Sequence, residues 1–145
     1  TDILKAIVSE AGKLTGQEDL SNPSLRVIAD HLRAASFLIA DGVIPSNEGR
    51  GYVLRRIIRR ALRHAHKLGM NEPILSSLVP VLEKRMSEAH PVLTKNLEII
   101  QANLSKEEEQ FSSTLEQGMQ LLESEVKKLE GHKKSGELAY KINDT

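Results

Sequence analysis

Residues 49–68 read GRGYVLRRIIRRALRHAHKL, and the spacing within this stretch decides the fold class. Leu54, Ile57, Ile58, Ala61, Leu62, Ala65 and Leu68 recur three or four residues apart, which predicts an amphipathic helix over about residues 52–68. Arginines fill the rest of its circumference. Arg55 lies one turn from Arg59, Arg56 one turn from Arg60, and Arg60 one turn from Arg63. Like charges at that spacing cost a few tenths of a kcal/mol per pair, roughly, so something must offset them.

The segments around this helix carry the opposite charge. The chain holds 20 basic and 20 acidic side chains and is neutral overall. Residues 49–72 contain 7 bases and 1 acid, whereas residues 1–48 and 73–145 each carry a net charge of −3. A neutral chain that gathers its positive charge on one helix is suited to present it to an anion. Arginine outnumbers lysine there, and its planar fork grips phosphate at two points. The alternative is a solvated face paired with acids elsewhere in the fold.

The flanking segments share the helical period. Ile3, Leu4, Ile7, Val8, Ala11 and Leu14 predict a first helix that Gly16 ends. Asn22-Pro23 is an N-cap followed by a helix-starting proline. Leu25, Ile28, Ala29, Leu32, Ala35 and Ile39 form the buried stripe of that second helix, and Asp41-Gly42 stops it. A fourth helix is expected over about residues 73–86, with a break or kink at Pro80, and His90-Pro91 is a further break. Ser105 and Glu108 have capping-box spacing, which would split the last region near Leu104. Phe111, Leu115, Leu122, Val126 and Leu129 form a stripe for packing on a partner helix, and Gly131–Gly136 reads as a turn. No alternating β-branched run is present. The expected fold is therefore all-α, an irregular array of five to seven helices with a long antiparallel pair toward the C-terminus. At 145 residues it is one domain, 1–145.

Composition narrows the chemistry. Aromatic residues make up 3% of the chain and there is no Trp, so Leu, Ile, Val and Ala must build the core. There is no Cys, hence no disulfide, thiolate nucleophile or thiolate metal site, which fits a reducing compartment. The first residues, TDILKAIVSEAG, lack the pattern of a signal peptide, and no apolar run reaches the roughly 20 residues of a membrane span. A cytoplasmic location is the expectation. No histidine pairs with a nucleophile, and His64 and His66 do not share a helix face. No catalytic residue and no metal ligand is assigned. Glu107-Glu108-Glu109 is expected to cap or solvate a helix N-terminus. The loop Ser46-Asn47-Glu48-Gly49-Arg50-Gly51 lacks the spacing of a nucleotide-binding loop, but an asparagine at its tip suits a nucleobase edge.

The run RVIADHLRAASFLIADGVIPSNEGRGYVLRRIIRRALRH, with KEEEQFSSTLEQG and GELAYKINDT downstream, resembles the alanyl-tRNA synthetase family. The likeness lies in the helical tRNA-recognition domain that follows the class II catalytic core and covers nearly the whole chain. It implies docking of the acceptor stem of tRNA(Ala) and reading of its G·U wobble pair. Asn47 matches the family's loop asparagine, and Asp144 the aspartate of its DTYGF-like string, although Thr145 is the last residue here. A carboxylate accepts only, which suits the unpaired guanine amino group in the minor groove of a wobble pair. Arg50, Arg55, Arg56, Arg59, Arg60 and Arg63 are the expected contacts to the RNA backbone. The resemblance assigns ATP with magnesium, and zinc in an editing region, to the full-length enzyme, and no cofactor to this segment. The segment is not expected to activate alanine by itself. The competing function is a helical protein-interaction module with a basic docking face.

Overall fold

The structure, a computed structural model, describes residues 2–70 and 72–144, with side chains for residues 3–70 and 72–133. Among the described residues six helices follow in order: α1 (Asp2–Thr15), α2 (Pro23–Ala40), α3 (Gly49–Lys67), α4 (Leu75–Met86), α5 (Pro91–Lys95) and α6 (Leu97–Asp144). No strand occurs among the described residues, so the all-α expectation holds, as does its range of helix number. The chain divides into two compact units, Thr1–Phe111 and Ser112–Thr145.

In the first unit α2 is the hub, packing against α1, α3, α4 and α5. It starts where the sequence predicts: Asn22 Oδ1 accepts the Ser24 N–H at 2.9 Å, and Pro23 needs no donor at the first position. Ile7 of α1, Leu25, Ile28 and Leu32 of α2, Leu54 and Ile58 of α3, Leu78 and Leu82 of α4, and Ile100 and Leu104 of α6 are all buried together. Each such side chain contributes about 1.5–3 kcal/mol relative to exposure.

Two expectations about α4 and α6 need correction, and the reasons are linked. Pro80 neither breaks nor ends α4, which runs unbroken from Leu75 to Met86. The missing proline N–H would have bonded the Ser76 carbonyl one turn back. Gln101 of α6 donates its side-chain N–H to that oxygen instead, at 3.4 Å. The split predicted near Leu104 is also absent, because α6 continues through Ser105 and Glu108. Glu108 does cap a helix, but a different one. Its carboxylate accepts the backbone N–H groups of Ile74 at 2.7 Å, Leu75 at 3.1 Å and Ser76 at 3.0 Å, at the start of α4. Ile74 occupies the cap position of α4 and has no side chain able to do this.

The antiparallel pair expected near the C-terminus is likewise corrected. Residues 97–144 form one helix, with Gly131 inside it rather than in a turn. A lone glycine costs about 1 kcal/mol against alanine, and no proline reinforces it here. Strong helix formers precede it, and Glu125 and Lys128 pair at 3.5 Å on the same surface. Of the expected packing stripe, Phe111 in the first unit packs partly buried against the core. In the second unit Leu122, Val126 and Leu129 are exposed, joined by Met119. No helix among the described residues is long and apolar enough to cross a membrane.

Replacing Glu108 with Ala strands three N–H groups, two of them buried, and should lower the unfolding free energy by about 3 kcal/mol. Glu108→Gln, which keeps an acceptor oxygen without the charge, should lose less. Urea denaturation of the two variants measures the difference.

Candidate nucleic-acid interface

Helix α3 begins at Gly49, earlier than the hydrophobic spacing predicts, because the Tyr52 N–H already bonds the Glu48 carbonyl at 3.2 Å. The loop before it is folded back onto this first turn. Ser46 N–H donates to the Gly51 carbonyl at 3.1 Å, and Ser46 Oγ donates to the Glu48 carbonyl at 2.9 Å. Gly51 permits this approach, since a Cβ there would collide with the Ile44 carbonyl oxygen and Ser46 Oγ. The result is an exposed Asn47 on a backbone held in place beside the basic helix.

The arginines of α3 fall into two groups. One group is paired with carboxylates. Arg55 donates from Nε at 3.1 Å and from Nη2 at 3.0 Å to Glu107 Oε1 of α6. Arg59 Nε lies 3.6 Å from Glu107 Oε2, an ion pair without a hydrogen bond. Glu107 is 3% exposed, so both pairs are partly withdrawn from water. Arg50 pairs with Asp41 at 3.2 Å on the exposed surface, where such a contact is worth at most about 1 kcal/mol. For these three arginines the fold itself supplies the anion.

The second group has no such partner. Among the described residues no carboxylate lies within ion-pair distance of Arg56, Arg60 or Arg63, and all three are exposed. Arg56 sits over the Tyr52 ring, its guanidinium carbon 5.8 Å from the ring centroid. With His31 of α2 and Tyr52, the three arginines line an open groove of about 290 Å³. The groove combines concentrated positive charge with an aromatic wall. Val53 and Ile57 complete the lining, so the groove offers cationic forks above a partly apolar floor.

Asn47 stands at the N-terminal end of the same helix. Its Oδ1 accepts a hydrogen bond from Arg55 Nη1, so the side chain is tied to the paired arginines and not to the groove. With that oxygen engaged, the amide NH2 supplies two donors for a ligand. Asp144 belongs to α6, but its side chain lies outside the described residues. The sequence puts Asn47 and Arg50 in the loop and the other arginines on the helix after it; in the structure Asn47 is in the loop, whereas Arg50 falls within α3. Glu107, which engages two of these arginines, and His31 and Tyr52, which line the groove, are not marked as site residues by the sequence. The Glu107–Glu109 triplet opposite an acid-free arginine run was the available signal, but a separation of 52 residues hides the pairing.

Burial holds the His31 imidazole below its ordinary value, and the Arg60 charge lowers it further against the weaker opposing pull of Asp30. His64 is lowered in the same way, by burial first and then by Arg60 and Lys67. Its Nδ1 lies 3.0 Å from Ser24 Oγ. Between the folded value and the ordinary value of 6.5, the unfolded chain binds more protons than the folded one. Stability should therefore rise with pH through that window and fall as pH drops through it. In an NMR titration the His31 ring should show a midpoint below 6.5, and an RNA duplex seated in the groove should move it upward.

The chain is similar to alanine–tRNA ligases along 99% of its length. It is 53% identical to that of Hydrogenovibrio crunogenus, 52% to that of Chromohalobacter salexigens and 50% to that of Idiomarina loihiensis. In each case it spans about 17% of the relative's length. The family described as tRNA synthetases class II (A) matches residues 1–145, and this chain belongs to it.

Proposed function

We propose that this chain is the tRNA-recognition segment of an alanine–tRNA ligase, which grips the acceptor stem of tRNA(Ala) and reads its G·U wobble pair. The carrying observation is the carboxylate-free groove of Arg56, Arg60 and Arg63, beside an exposed and anchored Asn47. In this reading Arg56, Arg60 and Arg63 take phosphates directly. Arg50, Arg55 and Arg59 meet the backbone only with the part of their charge that Asp41 and Glu107 leave uncompensated. The groove supplies affinity and register, and the loop supplies discrimination.

The wobble pair displaces its bases, so the guanine amino group has no partner and faces the wide minor groove of A-form RNA. Asn47 offers donors to an acceptor on that edge, and Asp144 offers an acceptor to the amino group. A G·C pair engages the amino group itself and leaves one of these side chains unmatched. In this reading the chain contributes no catalytic residue. ATP with magnesium, and zinc, belong to other parts of a longer, cytoplasmic ligase. A protein-docking reading would instead use the exposed Met119, Leu122, Val126 and Leu129 of the second unit, and it predicts no RNA affinity.

Binding of RNA hairpins that differ only in G·U or G·C separates these roles. Three phosphate contacts give a slope of roughly −3 for log K against log salt concentration. Arg60→Ala should weaken both hairpins alike and make that slope shallower by about 0.9. Asn47→Ala should leave the slope unchanged and reduce the G·U preference by about 10-fold, the value of one lost buried hydrogen bond. Equal loss on both hairpins from Asn47→Ala would remove it from the reading role.

A further inference from the structure

We propose that Glu107 is a positioning residue for Asn47, acting through Arg55. The proposal rests on Asn47 reading the base pair, and it adds what aims that side chain. Glu107 is buried on α6, 37 residues before Asp144 on the same helix. Its Oε1 accepts both Nε–H and Nη2–H of Arg55, at 3.1 and 3.0 Å. A guanidinium is planar, so fixing this edge also fixes the direction of its remaining nitrogen, Nη1. That nitrogen donates to Asn47 Oδ1. A long side chain with several rotatable bonds thereby becomes a strut between a buried carboxylate and an exposed loop.

The loop backbone does not depend on this strut. Ser46 bonds the Gly51 and Glu48 carbonyls, and the close approach at Gly51 sets the path of the chain. What Glu107 and Arg55 determine is the rotamer of Asn47 and which of its two polar ends is turned to a ligand. With the oxygen held inward, the NH2 faces outward. Without the strut the amide is free to turn over, presenting acceptor and donor in comparable amounts and losing its power to choose between base pairs. Arg59 steadies the other carboxylate oxygen from 3.6 Å.

The test uses the 145-residue chain with four variants, two acceptor-stem hairpins (G·U and G·C) and the NMR signals of the Asn47 side-chain amide. Arg55→Lys keeps the charge but cannot bridge both partners. It should shift the Asn47 NH2 signals to random-coil positions and lower the G·U preference at least about fivefold, with the salt slope unchanged. Glu107→Ala should change the amide signals and the preference in the same way, while the charge it frees on Arg55 and Arg59 makes the salt slope steeper. Glu107→Gln, whose amide oxygen still accepts both Arg55 bonds, should retain most of the preference. If Glu107→Ala fails to fold, Arg55→Lys still decides the matter. Native-like Asn47 amide signals in Arg55→Lys would overturn the proposal whatever the RNA does. An unchanged preference in Arg55→Lys, with loss in Asn47→Ala, would overturn it and leave the base-reading role standing. If Asn47→Ala changes nothing, the base-reading role fails, and the amide signals alone still judge the strut.

Discussion

Two adjacent buried carboxylates on α6 hold the first unit together. Glu107 turns toward α3 and takes the charge of Arg55 and Arg59. Glu108 turns toward α4 and takes its first N–H groups. Burying one carboxylate is unfavourable unless it is fully engaged, and burying two in succession is worse because they repel. The arrangement persists because each faces a positive partner of different origin, one a guanidinium pair and the other a helix dipole. Remove the acids, and α3 keeps its self-repulsion while α4 keeps an open N-terminus.

This pairing explains why a helix so rich in arginine has one neutralised flank and one bare one. The stretch from Gly49 to Asn71 contains no acid of its own. In the fold, Glu107 and Asp41 reach half of it, so the field is concentrated over Arg56, Arg60 and Arg63. The reading of such a run as a face paired with acids elsewhere in the fold then holds for Arg50, Arg55 and Arg59, and Arg56, Arg60 and Arg63 are the ones left to the anion-binding proposal. Directional charge of this kind lets a ligand be oriented as well as attracted.

The helices themselves were legible because their signals are local. Leu54 through Ala65 at helical spacing, Asn22-Pro23 as a start and Asp41-Gly42 as a stop all act within one turn of the residues they govern. What was not legible depends on distant partners. Pro80 reads as a break until Gln101 supplies the missing donor. Ser105 and Glu108 read as a cap for their own helix until Glu108 is seen on α4. Gly131 reads as a turn because a glycine marks both loops and tolerated helix interiors, and nothing beside it tells the two apart. At the candidate site, Asn47 and the arginines could be picked out by residue type and by family resemblance. Glu107 could not, because its role comes from a contact across the fold.

The dependence of α4 on α6 also bears on how the chain is made. Its opening N–H groups and the carbonyl freed by Pro80 find their partners only at residues 101–108, some 25–34 positions further along. During synthesis from the N-terminus, α1 and α3 can pack on the capped α2 through their apolar stripes, while α4 still lacks partners for its first N–H groups and for the Ser76 carbonyl. At roughly 5–20 residues per second, that leaves α4 unfinished for a few seconds after it is made. The first unit is thus assembled in two stages, and the second stage begins when the Glu107–Glu108 pair arrives.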